Sequence, residues 1–159
     1  MYRPVQNTNN PCLHLQTLAA LLRVSGARDA DIYRDLLAGF ADTPYDRGGC
    51  TPGGSDCSGS ICCALNILYG KHIRVTADRL LNSYFTETDD GDNALCALFF
   101  LDGTGKAVHV AGRLGDDFFM NVSSVEPSQK GTVRAYEEFT ALYPMFRSEL
   151  RSLRKGAWK

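Results

Sequence analysis

The spacing of apolar residues predicts helices in the first half of the chain. Residues 12–24, "CLHLQTLAALLRV", carry apolar side chains at helical spacing, and a second stripe with the same period follows in residues 25–40. Residues 41–56 are rich in proline and glycine, which is typical of a loop. A short helix is also expected in residues 75–85, so helices dominate up to this point.

The helix expected after the glycine-rich loop has the clearest boundaries. Its apolar residues follow the i, i+3, i+4, i+7 pattern of one helix face, from Ile61 to Leu68. We expect it to begin at Asp56 or Cys57 and to end near Tyr69, because Gly70 is a typical residue just past a helix end.

The second half of the chain has the pattern of strands. Residues 94–101 form a continuous apolar run, and residues 107–113 and 117–123 alternate between apolar and polar side chains. Residues 131–137 are a weaker strand candidate, and the segment 145–159 fits either a helix or a strand. Helices followed by an antiparallel sheet predict an α+β fold.

Composition and charge narrow the classes of function. The chain has 159 residues, 44% hydrophobic and 22% charged, and its net charge is -1. We therefore predict no nucleic-acid partner. No apolar run is long enough for a membrane span. No signal peptide is visible at the N-terminus, so we expect a cytoplasmic protein or one that a phage or secretion machine delivers.

The chain has six cysteines, and four of them lie between Gly48 and Cys63. Without a signal peptide, structural disulfides are not favoured. The spacing lacks the paired C-x-x-C pattern of a structural zinc site, so we predict no metal. A chemical role for one of these thiols is therefore the alternative to examine.

Helix geometry separates Cys57 from its neighbours. At about 100° per residue, Cys57 falls about 40° from Ile61, on the buried face and one turn earlier. Cys62 and Cys63 point elsewhere and are expected to be packing residues. The positive end of a helix dipole stabilises a thiolate, so we expect Cys57 to titrate below an ordinary thiol.

A thiolate nucleophile usually works with a histidine, and the chain has three. His14 lies in an apolar helix and His72 just past a helix end, where structural or surface roles are expected. His109 is in the middle of an alternating strand. It is therefore the candidate base.

A predicted hairpin places a polar partner opposite His109. The connection between the two strands contains Gly115 and has a common length. If Arg113 pairs with Asp117, His109 lies directly opposite Asn121, on the same face. The amide oxygen could then accept a hydrogen bond from Nδ1 and direct Nε2 outward.

These residues resemble the motifs of the NlpC/P60 family of papain-like cysteine peptidases. The matching text is "TPYDRGGCTPGGSDCSGSI" in residues 43–61 and "HVAGRLGDDFFMNV" in residues 109–122. D-C-S-G after a Gly-Gly loop, then H-V and a polar residue twelve positions later, is a specific pattern. The resemblance covers about residues 32–122, more than half of the chain.

The resemblance implies a role for each matching residue. Cys57 would be the nucleophile, His109 the base, and Asn121 the residue that orients the imidazole, where many members have histidine. No metal or cofactor is needed for this chemistry.

The resemblance also implies a substrate-binding set. Tyr45 would line the cleft near the thiol, while Asp56 and Ser58 occupy positions where some members hold the free amine of a substrate peptide. Arg47 departs from the family, which often has tryptophan there, and it adds a cation to the site.

The resemblance further implies a single NlpC/P60-like catalytic domain over residues 1–159. Its expected parts are an N-terminal arm (1–11), an additional helix (12–26), a catalytic core (about 28–140) and a basic tail (141–159).

The implied activity is hydrolysis of peptidoglycan stem peptides, typically between D-γ-glutamate and a diamino acid. An amidase or acyltransferase on the same scaffold is an alternative, because fold does not fix substrate. A non-catalytic structural component, such as one of a phage tail, is another. A phage tail or another delivery partner is accordingly a possible partner of the chain.

Overall fold

The computed structural model of the chain describes residues 10–88 and 93–159. Most of the expected N-terminal arm, residues 1–9, lies outside the described residues. Within them the helices are α1 (Leu13–Val24), α2 (Asp29–Ala38), α3 (Cys57–Tyr69), α4 (Ala77–Ser83) and α5 (Tyr136–Leu142). The described strands are β1 (Cys50–Thr51), β2 (Gly54–Ser55), β3 (Phe85–Glu87), β4 (Cys96–Leu101), β5 (Ala107–Gly115), β6 (Phe118–Asn121), β7 (Thr132–Ala135) and β8 (Arg147–Leu153).

Six of the strands form one antiparallel sheet in the order β3-β8-β4-β5-β6-β7. The short strands β1 and β2 form a separate hairpin in the loop before α3. Helices α1 to α4 and one face of the sheet enclose the main core. The predicted α+β class is therefore confirmed. In the described parts of the chain, no helix has the length and apolar character needed to span a membrane.

The central helix α3 begins and ends where its sequence predicts. The Asp56 carboxylate caps its N-terminus by accepting a hydrogen bond from the Gly59 N–H at 2.8 Å. Gly70 ends the helix in the left-handed conformation, with φ of 65°. Ile61 and Leu65 are fully buried under the sheet.

The other face of the sheet carries a second, smaller core. It is formed by Leu98, Phe100, Ala111, Phe119, Phe139 and Tyr143. Phe139 comes from α5, which covers this face, and Tyr143 follows the helix directly. This second core matters for function because His109 packs against it.

Residues 141–159, which the sequence marks as a basic tail, include a strand of the main sheet. This strand is β8, which lies inside the sheet between β3 and β4. Arg147 and Arg151 both pair with Glu149. Trp158 is buried and donates a hydrogen bond to the Asn66 side chain at 3.1 Å. This segment belongs to the sheet, since β8 is the second strand partner of β4.

The predicted register of the β5–β6 hairpin is wrong. Arg113 pairs with Phe119 instead of Asp117, because a bulge follows Arg113 and shortens the turn. The shift amounts to two positions, so side chains keep their faces. His109 and Asn121 therefore share a face, but as diagonal neighbours and not as a directly opposed pair.

Candidate active site

Cys57 is the first residue of α3 and is half-buried against the main core. The backbone N–H groups of Ser58 and Val110 lie close enough to its sulfur to lower its pKa. Val110 directly follows His109 in β5. The fold thus brings the thiol at the helix start to the strand that carries the candidate base.

Close backbone contact holds the start of α3 against the preceding loop. A Cβ added to Gly59 would lie 2.0 Å from the backbone oxygen of Gly49. No side chain fits there, which explains the glycine of the D-C-S-G motif. The loop that carries Tyr45 and Arg47 is thereby held near the thiol.

The protonation of the thiol differs from the expectation drawn from the helix dipole. Burial raises the pKa of Cys57 to about 11, and the nearby Asp56 carboxylate acts in the same direction. The two backbone N–H groups and Arg74 lower the pKa, but they do not outweigh desolvation. Cys57 is therefore a neutral thiol at pH 7 in the substrate-free protein.

His109 is buried among aromatic rings. It is 6% exposed, stacks on Tyr143 at 4.7 Å between ring centroids, and lies 5.6 Å from the Phe100 ring. Burial lowers the pKa of His109 to about 4, although the hydrogen bond to Asn121 opposes this shift. The imidazole is therefore neutral at pH 7.

A chain of hydrogen bonds determines which imidazole nitrogen is the base. Arg134 forms two 2.8 Å bonds to the Glu126 carboxylate, and Glu126 accepts a 2.9 Å bond from the Asn121 amide nitrogen. The Asn121 oxygen must then face His109, whose Nε2 lies 2.8 Å away. Because an amide oxygen accepts, Nε2 carries the proton.

The nitrogen assignment predicted from the sequence is therefore wrong. Nε2, and not Nδ1, faces Asn121. Nδ1 has no hydrogen-bond partner among the described residues and keeps its lone pair. Nδ1 of His109 is thus the atom available to receive a proton.

Sequence reasoning missed three residues of this network. Glu126 is 1% exposed and lies in the loop between β6 and β7, Arg134 lies on β7, and Tyr143 follows α5. Burial of Glu126 depends on packing between distant segments, and no local pattern marks it. The carboxyl–amide–imidazole order emerges only when β5, β6 and β7 are adjacent.

Asp56 and Ser58 flank Cys57, but both are engaged by Arg74. The guanidinium donates to the Asp56 carboxylate at 2.7 Å and to the Ser58 hydroxyl at 3.0 Å. Arg74 lies between α3 and α4, and its contribution to the site was not predicted. The position expected to receive a substrate amine therefore already holds a cation.

Tyr45 and Arg47 lie in the loop before α3. Tyr45 is half-buried against the main core, and its N–H donates to the Gln129 backbone oxygen at 2.9 Å. Arg47 is exposed and has no ion pair with the described residues. These placements leave their substrate-binding roles as predictions.

Burial separates Cys62 and Cys63 from Cys12. Cys62 and Cys63 are buried, as expected for packing residues. Cys12 is only half-buried, and its sulfur lies 3.7 Å from that of Cys63. This hydrogen bond lowers the pKa of Cys12 to about 7, while it raises that of Cys63.

A cavity of about 530 Å³ lies between α1, α3 and β1. Cys12, Cys50 and Cys63 line it, and none of the candidate site residues does. Within residues 10–88 and 93–159, no group of three or more His, Cys, Asp or Glu side chains could hold a metal ion.

Thiol labelling tests these ionisation states. At pH 7.5 we expect iodoacetamide to modify Cys12 before Cys57, because the thiolate is the reactive form. Cys63→Ala removes the hydrogen bond that lowers the pKa of Cys12, and should slow its labelling several-fold. Cys62→Ala is the control. Peptide mapping measures each rate, and preferential labelling of Cys57 would contradict these directions.

The candidate site lies where the first residue of a helix meets the sheet. A cysteine begins a helix that packs on an antiparallel sheet, and a histidine with a polar partner lies on neighbouring strands. Comparison with solved structures assigns the fold more closely: the chain has the NlpC/P60 fold.

Several solved structures illustrate this likeness. The NlpC/p60 domain of the peptidoglycan hydrolase SagA has a TM-score of 0.57 and 20% identity, over 79% of this chain and 98% of that one. NlpC2 from Trichomonas vaginalis has a TM-score of 0.61 and 21% identity, over 80% and 46% of the two chains. The peptidoglycan hydrolase RipB from Mycobacterium tuberculosis has a TM-score of 0.50 and 18% identity, over 82% and 79%.

The fold extends further along the chain than the sequence motifs do. The matching region spans less than half of NlpC2. No profile of a known protein family and no curated protein matches the sequence. At about 20% identity, these structures show the fold and leave the activity to be proposed from the site.

Proposed function

We propose that this chain is a cysteine peptidase that hydrolyses peptidoglycan stem peptides at the bond between D-γ-glutamate and a diamino acid. One observation carries the proposal: Asn121 accepts a hydrogen bond from Nε2 of His109, which leaves Nδ1 as the base. His109 lies on β5, next to Val110, whose N–H is close enough to the Cys57 sulfur to lower its pKa. Two similar structures, SagA and RipB, are named peptidoglycan hydrolases.

The proposed reaction begins with two neutral groups. As the Cys57 sulfur attacks the scissile carbonyl, its proton passes to Nδ1 of His109 and an oxyanion forms. Backbone N–H groups at the start of α3 stabilise that charge. The oxyanion collapses to a thioester while the imidazolium protonates the leaving amine. Water, deprotonated by His109, then hydrolyses the thioester and restores the thiol.

The residues beside the thiol are proposed to line the substrate cleft, with Asp56 and Ser58 acting through the Arg74 guanidinium that both of them bind. Tyr45 and Arg47 lie in the loop before α3, and Asp56 and Ser58 flank Cys57. The loop is held against the start of α3 by the close approach of Gly49 to Gly59 and by the Gly48 N–H, which donates to Asp56. No metal or cofactor takes part in the proposed steps.

Digestion of purified peptidoglycan tests this function directly. The expected products, identified by mass spectrometry, end in D-γ-glutamate on one side and begin with a free diamino acid on the other. Release of a different fragment would indicate an amidase, and transfer of the acyl group to an added amine would indicate an acyltransferase. No products from peptidoglycan or soluble muropeptides would contradict the proposal.

Replacement of the imidazole and of its partner should have unequal effects. Asn121→Ala removes a hydrogen bond to the imidazolium, worth about 1.5–3 kcal/mol, and should lower kcat about tenfold to 100-fold. His109→Ala removes the proton-transfer group itself and should lower kcat further, by about 100-fold to 10⁴-fold. Steady-state kinetics on a muropeptide measures both values. Full activity of Asn121→Ala would show that another group orients the ring.

The pH profile follows from the burial of His109. Catalysis requires a neutral imidazole in the free enzyme, and burial lowers its pKa to about 4. We therefore expect kcat/KM to be flat from about pH 5.5 to pH 8 and to fall only near pH 4. His72→Ala, at an exposed position, should leave the profile unchanged. An acid limb near the ordinary histidine value of about 6.5 would contradict a buried base.

A further inference from the structure

The Asp56 carboxylate is held by four donors, three of them on the oxygen that binds Arg74. Its Oδ1 accepts from the Gly59 N–H at 2.8 Å, from Arg74 at 2.7 Å and from the Ser58 hydroxyl at 3.3 Å. Its Oδ2 accepts from the Gly48 N–H at 2.8 Å. Each carboxylate oxygen has two lone pairs, so three donors saturate Oδ1, the oxygen that binds Arg74, while Oδ2 keeps one acceptor site.

Ser58 is engaged in the same way. Its hydroxyl donates to Asp56 and accepts from Arg74 at 3.0 Å, and the residue is 4% exposed. The guanidinium is the more accessible partner, since the Arg74 side chain is 31% exposed and that of Asp56 only 16%. The cation is therefore more accessible to a substrate than the carboxylate is.

The guanidinium also has donors left over. Its Nη1 donates to Ser58 and to the Val75 backbone oxygen at 2.6 Å, and its Nη2 donates to Asp56. The Nε–H and one Nη2–H have no acceptor within the described parts of the chain. Arginine has five N–H groups, so two remain for an oxygen of the substrate.

We propose that Arg74 determines substrate specificity by replacing the ammonium group of the substrate. The site then selects stem peptides whose N-terminus is acylated, and Arg74 donates to the acyl oxygen. This inference rests on the proposed function, and it names the form of the peptide that the site accepts. A free ammonium would lie beside a like charge, and the Asp56 oxygen next to that charge is already saturated.

Binding of two matched peptides tests this inference. The peptides share a stem sequence and differ only at the N-terminus, which is a free amine in one and N-acetylated in the other. Calorimetry with Cys57→Ala as the background measures binding without turnover. We expect this protein to bind the acetylated peptide about tenfold tighter than the free amine.

Adding Arg74→Gln should reverse or abolish that preference, because the Asp56 carboxylate then has no paired cation and can attract an ammonium. Arg79→Gln, at an exposed position on α4, is the matched control and should leave the ratio unchanged. Circular dichroism checks that each variant is folded. An unchanged ratio in Arg74→Gln, a parent preference for the free amine, or no binding of either peptide would overturn the inference.

Cleavage assays separate this result from the proposed function. If Arg74 sets the binding ratio and the protein with Cys57 intact cuts neither peptide, the peptidase proposal fails and the specificity inference stands. If both peptides are cut at rates that Arg74→Gln does not alter, and the binding ratio is also unaltered, the specificity inference fails alone.

Discussion

Cys57→Ala is expected to abolish hydrolysis while the protein stays folded. The thiol is the only proposed nucleophile, so no covalent intermediate can form without it. The side chain is half-buried at the start of α3, and its loss removes one sulfur without opening the main core. We expect a melting temperature close to that of the parent protein and no detectable product from muropeptides.

Cys62→Ala provides the comparison for this variant. Cys62 is fully buried in the same helix, so its replacement should cost about 1 kcal/mol or more of unfolding free energy. Its activity should persist, because Cys62 takes no part in the proposed reaction and its sulfur donates to the Val75 backbone oxygen at 3.7 Å. A folded Cys62→Ala that is inactive, together with an active Cys57→Ala, would assign the nucleophile elsewhere.

Glu126→Ala is expected to have the largest effect on stability. Glu126 is 1% exposed and joins Arg134 to Asn121. Breaking a fully buried ion pair costs about 3–5 kcal/mol. We expect about 2–4 kcal/mol here, because Arg134 is 23% exposed and keeps its bond to Glu138. Urea unfolding measures this loss, and an unchanged midpoint would contradict it.

Glu126→Gln separates the positioning role from the stability role. Glutamine retains the volume, but its amide can donate to the Asn121 oxygen. Asn121 can then turn its nitrogen toward His109, which places the proton on Nδ1 and removes the base. We expect a clear fall in kcat and only a small change in the free energy of unfolding. Glu138→Gln, which changes the exposed partner of Arg134, should alter neither, and full activity of Glu126→Gln would contradict this positioning.

Local chemistry determined the elements that the sequence predicted correctly. The ends of α3 follow from a capping carboxylate at Asp56 and a left-handed glycine at Gly70, both within one turn of the helix. The alternation in residues 107–113 predicted β5 in the same way. Periodicity also placed His109 and Asn121 on one face, and this survived the register error because a two-residue shift preserves the face.

The tertiary structure decided what depends on contacts between distant segments. The bulge after Arg113, the insertion of β8 into the sheet, and the burial of Glu126 beside Asn121 have no local signature. Arg74 reaches Asp56 across eighteen positions.

The ionisation states of Cys57 and His109 could not be predicted from local sequence, because desolvation dominates both. Local sequence suggested a lowered pKa for Cys57, because the helix dipole acts within one turn. Burial depends on everything packed around the thiol, and it raises the pKa of Cys57 while lowering that of His109. The sequence alone thus identified the candidate cysteine, histidine and asparagine, whereas tertiary packing determined their protonation, the reactive nitrogen and the cation beside them.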